Sequence, residues 1–249
     1  MNRMGTFWGV GVGPGDAELL TLKAARVLAE VDWIFCPAET TRGDASLAAR
    51  IVTPLELPAT KFRPASLCMS RQRSAAQQAY RRAAEEIVVE LRLGRSVAWI
   101  TEGDPLFYST FSHVRDEVRR LCTDARIDVV SGVTSVQAAA ARAGVTLARL
   151  EESMAVLPAA YGLERLPELL DSCATVVLLK IHSVFDALLD RLADLPRSID
   201  IFYLEKVGTS EERLSTDLPS LRGQKPPYFS LVILRRRCQV GEAGEDVER

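Results

Sequence analysis

Histidine is nearly missing from this chain. Only His113 and His182 occur in 249 residues, too few for a histidine-ligated metal or a histidine-centred triad to be a natural expectation. Cysteine is sparse and scattered. Cys36, Cys68, Cys122, Cys173 and Cys238 are odd in number and never form a Cys-x-x-Cys pair, so neither a zinc site nor a disulfide framework is expected. Long apolar runs are missing too: none approaches the roughly 20 residues of a membrane span, and no membrane partner is expected. There is no excess of positive charge. The 31 Lys and Arg stand against 33 Asp and Glu, a formal net charge of −2, which disfavours a nucleic-acid partner held by a global basic field. The start MNRMGTFWGVGVG lacks the charged, apolar, small-residue order of a signal peptide, because glycines interrupt it at once. A cytoplasmic location is the default expectation.

What is present is an ordinary globular composition, 47% hydrophobic and 26% charged, on a chain long enough for two domains. The stretch SVAWITEGDPLFYSTF organises it. Val97–Thr101 reads as a buried strand that breaks at Glu102-Gly103-Asp104-Pro105. Gly103 permits a positive φ or a close backbone approach. Asp104 stands where an N-cap belongs and Pro105 suits a first helical turn. The helix expected to follow carries Phe107, Phe111, Val114, Val118 and Leu121 on one side.

A second turn of the same kind lies near the N-terminus. Thr6–Val12 reads as a strand ending in GPGD, with Asp16 capping a helix whose apolar stripe is Leu20, Ala24, Val27, Leu28 and Val31. A dinucleotide fingerprint fails here, because no glycine occupies its third position and Pro14 enters the turn. Asp32–Ala38 is expected as a strand closed by Pro37, and Val52–Leu57 as a third strand. Ala75–Leu93 is a helix with Tyr80, Ala83, Ala84, Ile87 and Leu91 on one face, ended by Gly94. Ile127–Val130 is a fifth strand, followed by Ser131-Gly132. Thr134 or Ser135 caps the next helix, which Gly144 ends.

The rhythm then changes. Met154–Pro158, Thr175–Lys180, Ile199–Leu204 and Tyr228–Leu234 are strands, with helices over Leu163–Leu170 and Val184–Leu195. The fold class expected is α/β in two dissimilar domains. Residues 1–134 form a parallel sheet of about five strands, residues 135–235 form a mixed sheet, and residues 236–249 form a polar tail.

Three glycine turns, GVGPGD, TEGDP and SGVTS, close three early strands. In this order and spacing they resemble the tetrapyrrole methylase family, nearest to its branch acting on C20 of precorrin-2 in cobalamin biosynthesis. EGDPLFYSTFSHV is the most specific stretch, and AVLPA, VVLLKIH, LEKVGTSEERL and PPYFSLVIL follow in the expected order. Two departures stand out: Ser131 where the family commonly has proline, and Lys206-Val207-Gly208 where it commonly has Asn-Ala-Thr.

The resemblance implies a methyltransferase using S-adenosyl-L-methionine, a small-molecule tetrapyrrole substrate, a ligand cleft between the two domains and a homodimer. It implies cofactor contacts at Pro14, Glu102, Gly103, Asp104, Thr134 and Ser135, joined by Lys180, Val207 and Tyr228. Asp104 and Tyr108 are the candidate catalytic residues, and no metal is implied. Ser109 and Thr110 are expected to support the turn. A substrate rich in carboxylates calls for local arginines, and Arg42, Arg63, Arg71 and Arg73 are the candidates. Three rivals are another tetrapyrrole methylase, a methylase of the same family acting on a macromolecule, and a non-catalytic nucleotide-binding module.

Overall fold

The computed structural model describes residues 3–39, 46–67, 73–193, 195–196 and 198–237. Two compact units divide the chain, Met1–Ala138 and Ala139–Arg249.

The first unit is built on five parallel strands: β1 (Thr6–Gly11), β2 (Trp33–Glu39), β3 (Phe62–Leu67), β4 (Val97–Thr101) and β5 (Arg126–Val130). They lie in the order β3-β2-β4-β1-β5. The helices between them are α1 (Leu22–Glu30), α2 (Leu47–Ile51), α3 (Arg73–Arg92) and α4 (Phe111–Leu121), with α5 (Ser135–Ala143) leaving β5. Strand β4 is central, and all five of its residues are buried. Side chains alternate across a strand, so its residues serve two cores. Val97 and Trp99 join Phe7, Phe35, Ile87, Leu91 and Phe111 under α3 and α4. Ala98 and Ile100 join Val10, Ile34, Val27, Leu28 and Ile51 under α1 and α2.

Three local expectations are corrected here. Val52–Leu57 is not a strand. It carries the end of α2 into a 3-10 turn, Thr53–Leu55, closed by Glu56 at φ 50°. Pro54 sets the turn, since its fixed φ is helical and its missing N–H is no loss in a first turn. The third strand is β3, which pairs only with β2; at that edge Pro64 leaves no gap on a second side. Pro37 does not close β2, which pairs with β3 through Glu39 but with β4 only through Phe35. Asp16 caps only the short 3-10 turn Ala17–Leu19, while α1 begins later, with the Thr21 hydroxyl accepting from Ala24 N at 3.1 Å.

The second unit holds β6 (Met154–Pro158), β7 (Thr175–Leu179), β8 (Ile199–Glu205), β9 (Arg213–Ser215) and β10 (Ser230–Arg236), in the order β6-β7-β10-β8-β9. Strand β6 is parallel to β7, and β10 is antiparallel to both β7 and β8. Helices α6 (Ala159–Gly162), α7 (Leu166–Ser172) and α8 (Phe185–Ala193) complete it. The core joins Val176 and Leu178 of β7, Val232 and Leu234 of β10 and Tyr203 of β8 to Leu166, Leu188 and Leu192. The short β9 was not anticipated, because RLS has no apolar alternation to read.

The expected tail begins two residues too early. Arg236 belongs to β10, and Arg237 donates its backbone N–H to Ser198 O at 2.7 Å and its Nε to Asp200 at 2.7 Å. Residues 238–249, and Cys68 and Cys238, lie outside the described residues. Among the described residues no helix is long and apolar enough to cross a membrane, and no three His, Cys, Asp or Glu side chains group as metal ligands.

Candidate active site

In the first unit β1 lies between β4 and β5, with Gly11 opposite Thr101 and Val10 opposite Val130. Parallel pairing therefore gathers the three glycine turns at one sheet edge, the edge where open α/β sheets bind ligands. The turns interlock through backbone. A Cβ on Gly11 would lie 2.5 Å from Gly103 O and 2.7 Å from Gly132 N, and a Cβ on Gly132 would lie 2.1 Å from Gly103 O. Only glycine fits at either place. Gly103 N donates to Gly13 O at 2.8 Å, and Pro14 next to it is buried. Gly103 itself has φ +68°, and a Cβ there would meet nothing closer than Thr134 Cα at 3.8 Å. Of the three interlocked glycines it is the one whose backbone faces open space.

Asp104 joins two of the turns. Its Oδ1 accepts from Leu106 N at 2.8 Å, and its Oδ2 accepts from Gly132 N at 3.1 Å. The helix expected straight after Pro105 starts only at Phe111. The Asp-Pro pair caps a local turn instead, and the chain passes through Tyr108 at φ 52° before the helix. Ser109 supports this detour: its hydroxyl accepts from Phe111 N at 3.2 Å and lies 3.0 Å from Thr101 Oγ1. Thr110 stands at the N-cap without a side-chain capping bond. Tyr108 is exposed on the same turn as Asp104 and packs edge-on against Phe107 at 4.9 Å. Phe107 thus lies outside the helix on whose apolar side it was expected.

The Glu102 side chain turns inward. Its Oε1 accepts from Ala48 N at 3.0 Å, at the start of α2. Burial pushes this carboxyl up from its ordinary range, against the hydrogen bonds it accepts. The buried Cys36 thiol is pushed up to about 11, chiefly by desolvation, with Glu102 adding to it. Any ligand contact of Glu102 at the turn therefore falls to its backbone. Thr134 caps α5 in a reciprocal box: its hydroxyl accepts from Gln137 N at 3.4 Å, and Thr134 N donates to Gln137 Oε1 at 3.0 Å. Ser135 is the first residue of that helix.

In the second unit, the register Leu231 opposite Leu179 and Ser230 opposite Glu205 brings another set to one edge. The residues that follow β7 and β8 meet those that precede β10. Lys180 and Lys206 leave their strands at φ 55° and φ 44°. Lys206 N donates to Phe229 O at 2.7 Å, Val207 is buried, and the Tyr228 ring lies 5.1 Å from that of His182. Where the family commonly has Asn-Ala-Thr, Lys206 Nζ pairs with Glu211, and Gly208 N donates to Glu212 Oε2 at 2.8 Å.

The arginine candidates fare differently. Arg42 and Arg71, and the side chain of Arg73, lie outside the described residues. Arg63 is engaged: its guanidinium sits 3.8 Å over the Trp33 ring and 3.9 Å from Glu90. Glu90 also accepts from Trp33 Nε1 at 2.9 Å and Arg95 at 2.8 Å. Gly11 and Gly132 were missed as site residues. Their only signal was position, Gly11 as the last residue of β1 and Gly132 as the second residue after β5, and sequence does not say which glycine meets another's backbone.

A family model for Tetrapyrrole (Corrin/Porphyrin) Methylases matches residues 6–221. Cobalamin biosynthesis protein CobIJ of Mycobacterium tuberculosis is 34% identical over 255 residues, covering 96% of this chain and 48% of that protein. The chain thus spans about half the length of that relative. Precorrin-2 C(20)-methyltransferase of a Sinorhizobium species is 29% identical, covering 93% of this chain and 95% of that one. Cobalt-precorrin-2 C(20)-methyltransferase of Salmonella typhimurium is 27% identical, covering 96% and 99%. Among solved structures, uroporphyrin-III C-methyl transferase from Thermus thermophilus complexed with S-adenosyl homocysteine matches with a TM-score of 0.63 at 23% identity, covering 93% and 97%.

Proposed function

The chain belongs to the tetrapyrrole methylase family, and from that premise we propose that it transfers a methyl group from S-adenosyl-L-methionine to C20 of precorrin-2 or of cobalt-precorrin-2, in cobalamin biosynthesis. The observation that carries this reading is end-to-end similarity to two proteins named for that reaction, each matched over nearly its whole length. The EGDPLFYSTF stretch adds to it. Residues 102–110 fold as a turn ahead of α4, with Leu106 and Tyr108 exposed, and Phe111 begins the helix.

The first unit's turns fit the cofactor. Gly11 and Gly132 close the floor, and Gly103 leaves open the space above its backbone, so a ligand can rest against main chain without displacing a side chain. The Thermus structure holds S-adenosyl homocysteine, which supports the same ligand class here. When bound, S-adenosylmethionine supplies a methyl already activated on a sulfonium sulfur. The protein's part is then positioning, which is worth several kcal/mol when reacting atoms are held in line. We assign that part to the interlocked turns, to Pro14 and Thr134 at their margins and to Ser135 behind them. Asp104 acts through the turns as a positioning residue, because both its oxygens already accept backbone N–H groups. Tyr108, exposed on the same turn, is the proposed side chain against the reacting ligand. Lys180, Val207 and Tyr228 are the proposed contributors from the second unit. A homodimer is proposed on resemblance alone, and light scattering at micromolar concentration tests it; a cytoplasmic location is proposed from the composition.

The test is incubation with precorrin-2, and separately with its cobalt complex, in the presence of methyl-labelled S-adenosylmethionine. Mass spectrometry should find one added methyl. Transfer to neither substrate contradicts the proposal.

A further inference from the structure

One carboxylate in the second unit holds a turn that the proposed reaction uses. The turn follows β8 and runs over residues 206–212. Lys206 enters it at φ 44° and Gly208 continues it at φ 80°, so two left-handed residues flank the buried Val207. A residue with a side chain keeps that conformation only where its surroundings hold it. The crest of the turn cannot hold itself, because Val207 and Gly208 have no polar side-chain atom. Thr209 closes the base. Its N–H donates to Lys206 O at 3.0 Å, and its hydroxyl donates to the same carbonyl at 2.8 Å while accepting from Glu211 N at 3.2 Å.

The Gly208 N–H at the crest is taken by Glu212. Glu212 Oε2 accepts from it at 2.8 Å, and Glu212 Oε1 pairs with the Arg142 guanidinium. Glu212 is itself placed by its backbone, whose N–H donates to Thr209 O at 3.1 Å. Its side chain is 17% exposed and that of Arg142 is 61% exposed. An ion pair to so exposed an arginine adds little stability, whereas a sheltered carboxylate on a backbone N–H makes a strong and directional bond. The main work of Glu212 is therefore at Gly208, and Arg142 aims the carboxylate. Glu211 differs: it lies 63% exposed and pairs with the Lys206 side chain, leaving the crest of the turn to Glu212.

Arg142 stands on the last turn of α5, the helix that Thr134 caps and Ser135 begins. One carboxylate thus ties the turn at Val207 to the helix that leaves the third glycine turn. We infer that Glu212 is a positioning residue for methyl transfer: it fixes the backbone at Val207 and Gly208 for the cofactor, and Arg142 orients it. This rests on the cofactor role proposed above for Val207. Glu212 acts through the turn and not on the reacting atoms, so its loss weakens cofactor binding and spares the chemical step.

The test compares Glu212→Leu, Glu212→Gln and Arg142→Met with the parent protein. Melting curves check folding. Calorimetry gives Kd for S-adenosylhomocysteine, and methyl transfer gives kcat and KM for S-adenosylmethionine. Hydrogen exchange at the Gly208 amide, followed by NMR without ligand, reads the turn directly. Glu212→Leu should weaken S-adenosylhomocysteine about tenfold or more, one backbone bond to a carboxylate being worth roughly that factor. KM should rise alike with kcat within about threefold of the parent, and the Gly208 amide should exchange about tenfold faster. Glu212→Gln keeps an oxygen for Gly208 N and should recover most of the loss. Arg142→Met should weaken binding about threefold. Parent-like affinity in Glu212→Leu overturns the positioning role, as does a fall in kcat at unchanged KM, or a loss that Glu212→Gln does not recover. If Glu212→Leu does not fold, parent-like affinity in Arg142→Met overturns the role instead. A parent protein that binds no S-adenosylhomocysteine overturns the cofactor assignment and this role together. Binding that depends on Glu212 without methyl transfer to either tetrapyrrole leaves the role standing and overturns only the proposed reaction.

Discussion

The carboxylate of Asp104 accepts the backbone N–H of Gly132 at 3.1 Å with one oxygen while the other holds Leu106 N at 2.8 Å. A single short side chain therefore locks the turn after β4 to the turn after β5. Asp104→Ala should cost about 1–3 kcal/mol of stability, the range for leaving partly buried groups unpaired, and weaken S-adenosylhomocysteine at least tenfold. Asp104→Asn keeps acceptor capacity on one oxygen only, and should fall between. Denaturant melts and calorimetry on the two variants check this. Parent-like affinity in Asp104→Ala would show that the lock does not shape the cofactor turn.

Gly132 and Gly103 separate two kinds of glycine requirement. Gly132→Ala drives a Cβ to 2.1 Å from Gly103 O, a backbone atom that cannot step aside. Overpacking of this kind costs about 1–3 kcal/mol or more, and the turns should part with it. Gly103→Ala meets no close atom. It pays only for the left-handed conformation, about 1–2 kcal/mol. Gly132→Ala should be the less stable of the two in thermal melts, and the reverse order would contradict the interlock.

Much of this arrangement was legible beforehand. The VAWIT run reads as a buried strand because every position is apolar or small and turn residues bound it, and β4 occupies those five residues. The stripe on α3 was equally plain, with Ala83, Ala84, Ile87 and Leu91 all buried. Other features were hidden for physical reasons. Asp followed by Pro signals a helix cap and a local turn alike, so the start of α4 at Phe111 could not be placed. Val52–Leu57 is apolar enough for a strand, and only the conformation at Pro54 and Glu56 decides against it. Arg63 looked free because its partners Trp33 and Glu90 lie 30 and 27 residues away in sequence. Side-chain partners across a sheet leave no local trace.

Glu102 gives the chain a pH signature. Burial holds its carboxyl above the ordinary range, so the folded protein binds that proton more tightly than the unfolded chain does. The stability linked to the proton is complete below the ordinary glutamate pKa, about 4.3, and is lost as pH rises through the folded value. Glu102→Gln removes the titration and keeps an oxygen for Ala48 N. The variant should melt higher than the parent at about pH 8, with the difference closing near pH 4. A variant less stable than the parent at both values would show that the charged carboxylate is the form the fold requires.

Arg63→Ala should act on stability and not on substrate. The guanidinium lies over the Trp33 ring, a contact worth about 0.5–2 kcal/mol. Burial works against the Glu90 carboxylate, but hydrogen bonds from Arg95 and Trp33 and the charges of Arg95 and Arg63 hold its pKa below the ordinary value. That stability is present above about pH 4.3 and lost as pH falls through the folded value. The variant should therefore melt lower at neutral pH, with KM for the tetrapyrrole unchanged. A raised KM at unchanged stability would return Arg63 to the substrate site.

The central claim is the position of the new methyl. Precorrin-2 or cobalt-precorrin-2 labelled with carbon-13 at C20, incubated with the protein and S-adenosylmethionine carrying a carbon-13 methyl, should yield a product in which the methyl and C20 resonances show one-bond carbon–carbon coupling. A methyl coupled to any other ring carbon, or no transfer to either substrate, would contradict the account.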